Sequence, residues 1–199
     1  IPRFFDVSSG RILVDGVDVR DMKLTDLRDR IGYVPQKGVL FSGTIDSNIR
    51  YGKEDATDAE VQRAAEVAQA WDFIQEKEEK VDSEIAQGGT NVSGGQKQRL
   101  SIARAIAKRP EIYIFDDSFS ALDYKTDVVL RRALKKETKD ATTLIVAQRI
   151  STILHADRIL VLGEGRVVGQ GTHKELLKSC EVYRQIAMSQ LSEEELANE

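Results

Sequence analysis

Asn91-Val92-Ser93-Gly94-Gly95-Gln96-Lys97-Gln98-Arg99 and, shortly after it, Ile112-Tyr113-Ile114-Phe115-Asp116-Asp117 decide how this chain reads. The first stretch is a glycine turn opening an amphipathic helix. A helix N-terminus offers unpaired amides and a partial positive charge, which suits a phosphate. The glycines let the backbone approach closely, and Ser93 adds a hydroxyl. A serine-capped helix after a glycine loop is the plainer reading of the same residues. The second stretch is an apolar run, fit for burial on both faces of a sheet, that delivers a carboxylate to the C-terminal end of a strand. Ligands bind at that edge in open α/β sheets. A strand-ending aspartate in a turn is the plainer alternative.

Working outward, apolar strands alternate with helical patterns, which argues for a parallel α/β sheet. Arg11–Val14 and Val17–Val19 read as short strands around Asp15-Gly16, Leu24–Arg30 as a helix capped by Thr25, and Ile31–Val34 as a strand stopped by Pro35. From Ser42 to Lys80 the pattern is helical. Thr57 and Glu60 stand at capping-box spacing, as do Thr172 and Glu175. Gly88-Gly89 marks a flexible loop. Ser93–Lys108, Tyr124–Lys139 and Cys180–Leu191 read as helices, Thr142–Ala147 as a strand, and Arg158–Leu162 with Arg166–Gln170 as a hairpin.

The 199 residues suit one domain with a small subdomain, and 41% hydrophobic with 31% charged residues is an ordinary globular balance. A net charge of −4 argues against a nucleic-acid partner. No apolar run approaches the ~18 residues of a membrane span. The single Cys180 rules out an internal disulfide. Ile1-Pro2-Arg3-Phe4-Phe5 lacks the apolar core of a signal peptide, and without an initiator Met the chain reads as a fragment. His155 and His173 have no ligand cluster of metal spacing and read as surface or helix-cap residues; Trp71 reads as core.

From Ile1 to about Met188 the motifs resemble the nucleotide-binding domain of an ATP-binding cassette (ABC) exporter of the multidrug or lipid type. The resemblance implies an α/β, P-loop NTPase (RecA-like) parallel sheet core with an inserted α-helical subdomain and the N-terminal part missing. The core would be about 1–41 and 109–191, the helical subdomain about 42–108, and 192–199 an acidic, frayed tail. It implies ATP and Mg2+ as cofactors. The implied partners are a second nucleotide-binding domain, in a heterodimer, and the transmembrane domain of the exporter. The place would be the cytoplasmic face of the cell membrane, reached through spans outside this chain.

Residue by residue, Ser93, Gly94, Gly95 and Gln96 resemble the signature that contacts the γ-phosphate of ATP held by the opposing domain. Asp116 resembles the Walker B carboxylate that holds magnesium. Gln36, after Tyr33-Val34-Pro35, resembles the Q-loop glutamine that touches metal and attacking water. Asp123, in Ser120-Ala121-Leu122-Asp123, resembles the D-loop residue that crosses the dimer interface. Two catalytic positions depart from the family. Asp117 stands where glutamate polarises the attacking water, and Gln148 where a switch histidine contacts the γ-phosphate. One methylene less draws the carboxylate back by roughly 1 Å, a misplacement that can cost on the order of a hundredfold in rate. A backbone shift that keeps Asp117 working slowly is the alternative. Glutamine can donate a neutral hydrogen bond but cannot become a cation; Gln148 as a plain polar residue after a strand is the other reading. Gln87-Gly88-Gly89 departs from the commoner glutamate-arginine version of a loop that contacts intracellular helices. No Gly-x-x-x-x-Gly-Lys-Ser/Thr occurs in the chain, which the resemblance explains by a start just after that loop.

These departures favour the less active half of a heterodimeric exporter, with its own site degenerate. A non-transport ABC-type ATPase or a non-catalytic fragment are the alternatives, and the isolated residues are expected to be inactive.

Overall fold

The computed structural model describes residues 1–191; the acidic stretch 192–199 lies outside the described residues. The chain divides into two compact units, Ile1–Val146 and a second from Ala147 onward.

The first unit begins with a small antiparallel pair, β1 (Leu13–Val14) and β2 (Val17–Asp18), turned through Gly16 at φ +80°. Helix α1 (Leu24–Asp29) follows, then β3 (Ile31–Val34). The N-cap of α1 is Lys23 and makes no side-chain cap bond. Thr25 therefore does not cap it; its hydroxyl donates to Asp26 instead. The helical block opens with β4 (Gly43–Thr44) and α2 (Ile45–Arg50), and continues through α3 (Asp58–Val67), α4 (Trp71–Gln75) and β5 (Glu84–Ile85), which pairs with β4. Gly88 and Gly89 form a tight turn at φ +66° and +68°. Helix α5 (Gly94–Lys108) leads to β6 (Ile112–Asp116), and α6 (Tyr124–Glu137) to β7 (Thr142–Val146).

Strands β3, β6 and β7 form one parallel sheet in the order β3-β6-β7, with Ile31 opposite Ile112 and Tyr33 opposite Ile114. Alternation along β6 separates two cores. Tyr113 and Phe115 face the large cluster built with α2, α3 and α5, while Ile114 faces a smaller one with Val14, Leu27 and Ile31. The helical block shares the large cluster with the sheet, so residues 42–108 and β6 are held by one core. Strand β7 pairs with β6 alone among the described residues, and its Leu144 and Val146 stay 37% and 55% exposed.

Helix α5 is buried on most of its circumference, from Gln98 to Ala107. Arg104 ties it to α2. Its guanidinium donates to Asn48 O (2.8 Å), Val39 O (2.9 Å) and Asn48 Oδ1 (2.9 Å), with the Phe41 and Tyr51 rings 5.0 and 5.4 Å away. The helix ends at Arg109, in the left-handed region at φ +50°, before Pro110.

The second unit contains α7 (Ile150–Ile153), the hairpin β8 (Ile159–Gly163) and β9 (Arg166–Gly171), α8 (His173–Ser179) and α9 (Glu181–Gln190). His173 is not a surface residue: it is 2% exposed, with Nδ1 2.7 Å from the Tyr183 hydroxyl. No described helix is long and apolar enough to cross a membrane.

A Cβ on Gly52 would lie 2.2 Å from the Arg104 carbonyl oxygen. Gly52→Ala should therefore cost about 1–3 kcal/mol of stability through overpacking, read as a lower urea midpoint; an unchanged midpoint would contradict the close approach of this turn to α5. The Glu60 carboxyl is held at about 2, below its ordinary 4.5, first by the Thr57 N–H and then by Lys53. A depressed folded-state value stabilises above the unfolded value and is lost as pH falls through the folded one. Thermal midpoints should thus fall between about pH 4.5 and 2, and Glu60→Gln should flatten that part of the profile.

Candidate nucleotide site

Strand β6 places Asp116 at the C-terminal end of the sheet, and the chain turns sharply at Asp117, whose φ is +45°. That conformation is uncommon for a side chain with a Cβ, and aspartate and asparagine are the residues that tolerate it. Three bonds fix the turn. The Asp117 N–H donates to Val146 O (2.9 Å), the fully buried Ser118 hydroxyl donates to Val34 O (2.9 Å), and the Ser120 hydroxyl donates to Asp117 O (2.9 Å).

Strand β3 and the residues just after it meet both carboxylates. The Tyr33 hydroxyl donates to Asp116 Oδ2 at 3.0 Å, and Gln36 Nε2 donates to Asp117 Oδ2 at 3.1 Å. Burial raises the Tyr33 phenol above its ordinary value, and Asp116 adds to this, so it remains a donor at neutral pH. Sequence reasoning did not single out Tyr33 or Ser118. The only signal was a hydroxyl-bearing residue near the end of each strand.

The Ser93 turn forms a closed capping box: the Gln96 N–H donates to Ser93 Oγ (3.2 Å), and the Ser93 N–H to Gln96 Oε1 (3.1 Å). Ser93 and Gly94 are exposed. A Cβ on Gly94 would meet nothing within 4 Å, and on Gly95 only Ala121 O at 3.5 Å and Leu122 Cδ2 at 4.0 Å. Neither glycine has a left-handed φ. The fold thus has no need of glycine at position 94. The turn lies beside the segment 121–122, and Lys97 Nζ (to Gly88 O, 2.8 Å) and Gln98 Nε2 (to Pro35 O, 3.1 Å) tie the first turns of α5 to the Gly88 loop and the end of β3. Asp123 caps α6 by accepting from the Thr126 N–H (2.9 Å), and Thr126 holds its carboxyl below the usual range, first through the hydroxyl and then through the backbone.

The structure therefore brings Gln36 to Asp117 and Tyr33 to Asp116. Gln148 belongs to the second unit, where it is exposed and its carbonyl accepts from Gln190 Nε2 (2.9 Å). Gln190 Oε1 also accepts from the Ile150 N–H (2.8 Å), so one glutamine of α9 holds the segment after β7.

No group of three or more His, Cys, Asp or Glu side chains among the described residues could enclose a metal. The donors that are present still fit magnesium, which takes oxygen ligands, keeps several waters and needs only one or two carboxylates besides substrate phosphates. Asp116 keeps Oδ1, and Gln36, with its amide N–H₂ turned to Asp117, keeps its carbonyl oxygen.

A family model described as ABC transporter matches residues 1–120. An uncharacterized ABC transporter ATP-binding protein of Mycobacterium tuberculosis is 47% identical over 193 residues, 96% of this chain and 33% of that protein. A Staphylococcus aureus protein, named as a candidate multidrug export ATP-binding/permease protein, is 47% identical over 186 residues, 94% of this chain and 32% of its own length. The structure of a bacterial Atm1-family ABC exporter with ATP bound matches with a TM-score of 0.93 at 42% identity, over 96% of this chain and 34% of that one. The chain thus spans about a third of the length of these relatives. It belongs to the ABC transporter family, and its fold is that of an ABC exporter's nucleotide-binding domain.

Proposed function

We propose that this chain is the ATP-binding domain of a membrane exporter, working on the cytoplasmic face of the membrane and pairing head to tail with a second such domain. ATP sits at the interface and its hydrolysis drives transport by an attached transmembrane domain. The observation that carries this reading is the exposed Ser93-Gly94 turn, a helix start whose glycine answers to nothing inside the chain. An outside group that must come close to the backbone accounts for it. The amides of Gly94 and Gly95 and the Ser93 O–H bind the γ-phosphate of the partner's ATP, while the Gln96 N–H stays in the cap with Ser93 Oγ.

At the chain's own site Asp116, with Gln36, would hold a magnesium ion, which would neutralise phosphate charge. Asp117 accepts the proton of the attacking water, a contribution worth about 10² to 10⁴ when a general base is well placed. Here the base is short and tethered to Gln36 at 3.1 Å. Gln148, at the position of the family's switch histidine, can offer a neutral hydrogen bond but not a cationic one. Asp123 extends the interface beside the signature turn. The site binds ATP and turns it over slowly, and the partner, in a heterodimer, carries the faster one.

Three measurements test this. In the assembled transporter, Asp117→Glu with Gln148→His should raise nucleotide trapping at this site, against the strain that glutamate meets at φ +45°. Trapping that stays unchanged would remove the degenerate-site reading. Gly94→Ala should leave the urea midpoint intact, since a Cβ there meets no atom, yet reduce turnover at the partner's site by on the order of a hundredfold. Full turnover would show that no phosphate approaches the turn. Finally, the 199 residues alone contain no phosphate loop and should show no magnesium-dependent ATPase activity; a robust rate would overturn that expectation.

A further inference from the structure

Tyr33 occupies a strand position that packing alone would fill with an aliphatic side chain. Its neighbours in the smaller core are Ile12, Met22 and Ile112 with Val14, Leu27, Ile31 and Ile114. A hydroxyl carried into such surroundings is unfavourable unless it finds a partner. The register supplies one. Tyr33 stands opposite Ile114 on β6, so Asp116, two residues further along, is the next residue on the same face. The phenol reaches Asp116 Oδ2 at 3.0 Å. Its ring is braced in turn by Phe4, edge-on at 5.5 Å, and the Arg28 guanidinium lies 5.8 Å from the Phe4 ring.

We propose that Tyr33 is a positioning residue: it fixes the carboxylate plane of Asp116 by holding Oδ2, so that Oδ1 is presented in one orientation to the metal ion that Asp116 would hold. The inference rests on the reading of Asp116 as the metal-holding carboxylate. Left alone, the terminal torsion of an aspartate is broad. Magnesium demands near-ideal octahedral geometry, so a carboxylate that swings dilutes the arrangement that binds. A charge-assisted hydrogen bond from the phenol removes that freedom while leaving most of the carboxylate's acceptor positions open. The same logic makes the outer partners of metal ligands matter in other sites.

The test uses the complete protein assembled with its partner domain, with Mn2+ as the probe metal followed by electron paramagnetic resonance in the presence of ATP. Tyr33→Phe keeps the ring and its contact with Phe4 and removes only the hydroxyl. It should weaken Mn2+ binding by about tenfold while leaving ATP affinity measured without metal unchanged. Phe4→Ala, which keeps the hydroxyl but removes its brace, should weaken Mn2+ binding less. Mn2+ binding by Tyr33→Phe equal to the parent's, or an equal loss of metal-free ATP binding, would overturn the proposal. Asp116→Asn separates the two layers. If it too binds Mn2+ like the parent, the metal-holding reading of Asp116 falls, and the Tyr33 inference with it. If it loses Mn2+ while Tyr33→Phe does not, only the positioning role falls.

Discussion

The parallel pairing of β3 with β6 is the constraint on which the rest of the first unit depends. Strand β6 is buried on both faces, Tyr113 and Phe115 to one core and Ile114 to the other. A strand covered on both sides has no freedom to slip, because a one-residue shift would exchange the two sets of side chains. That fixed register places Asp116 and Asp117 at the sheet's C-terminal edge and sets Tyr33 and Gln36 beside them. The chemistry proposed for the site is thus inherited from the packing of apolar residues far less polar than those that perform it.

Helix α5 provides the second half of the arrangement. Its buried body fixes the angle at which its exposed first turn is presented, and bonds from Lys97 and Gln98 tie that turn to the Gly88 loop and to the end of β3. One rigid helix therefore links the glycine turn to the same strand that serves the carboxylates. A site spread over distant parts of the chain is held by two elements that share a core.

What could be read in advance was what is local. The capping boxes at Thr57 and Thr172 close within one helical turn, so spacing alone reveals them, and Ser93 is legible as a cap although its reciprocal bond with Gln96 was not singled out. The strand Ile31–Val34 and the apolar run ending at Asp116 are legible for the same reason. The features that escaped are those set by contacts across the chain. The left-handed turn at Asp117 is held through the Ser118 hydroxyl and Val34, 84 residues apart in sequence, and the bond between Tyr33 and Asp116 spans 83. His173 is buried because Tyr183 of the following helix covers it, which no pattern around the histidine announces. The division at Val146 and Ala147 falls without a glycine, proline or serine linker to mark it. Thr25 misled because a capping residue type stood two positions past the actual N-cap, Lys23.

The Arg104 junction has a consequence for how the protein tolerates its solution. Its partners are two carbonyl oxygens, a carboxamide and two ring faces, with no carboxylate among them. Mobile ions screen exposed charges over a Debye length of about 10 Å at 0.1 M that shortens as salt rises, and an exposed pair such as Arg184 with Glu181 is open to that effect. A half-hidden cation satisfied by dipoles and π-clouds is not. The clasp between α5 and α2 should hold its strength across ionic strengths that dissolve the peripheral pairs.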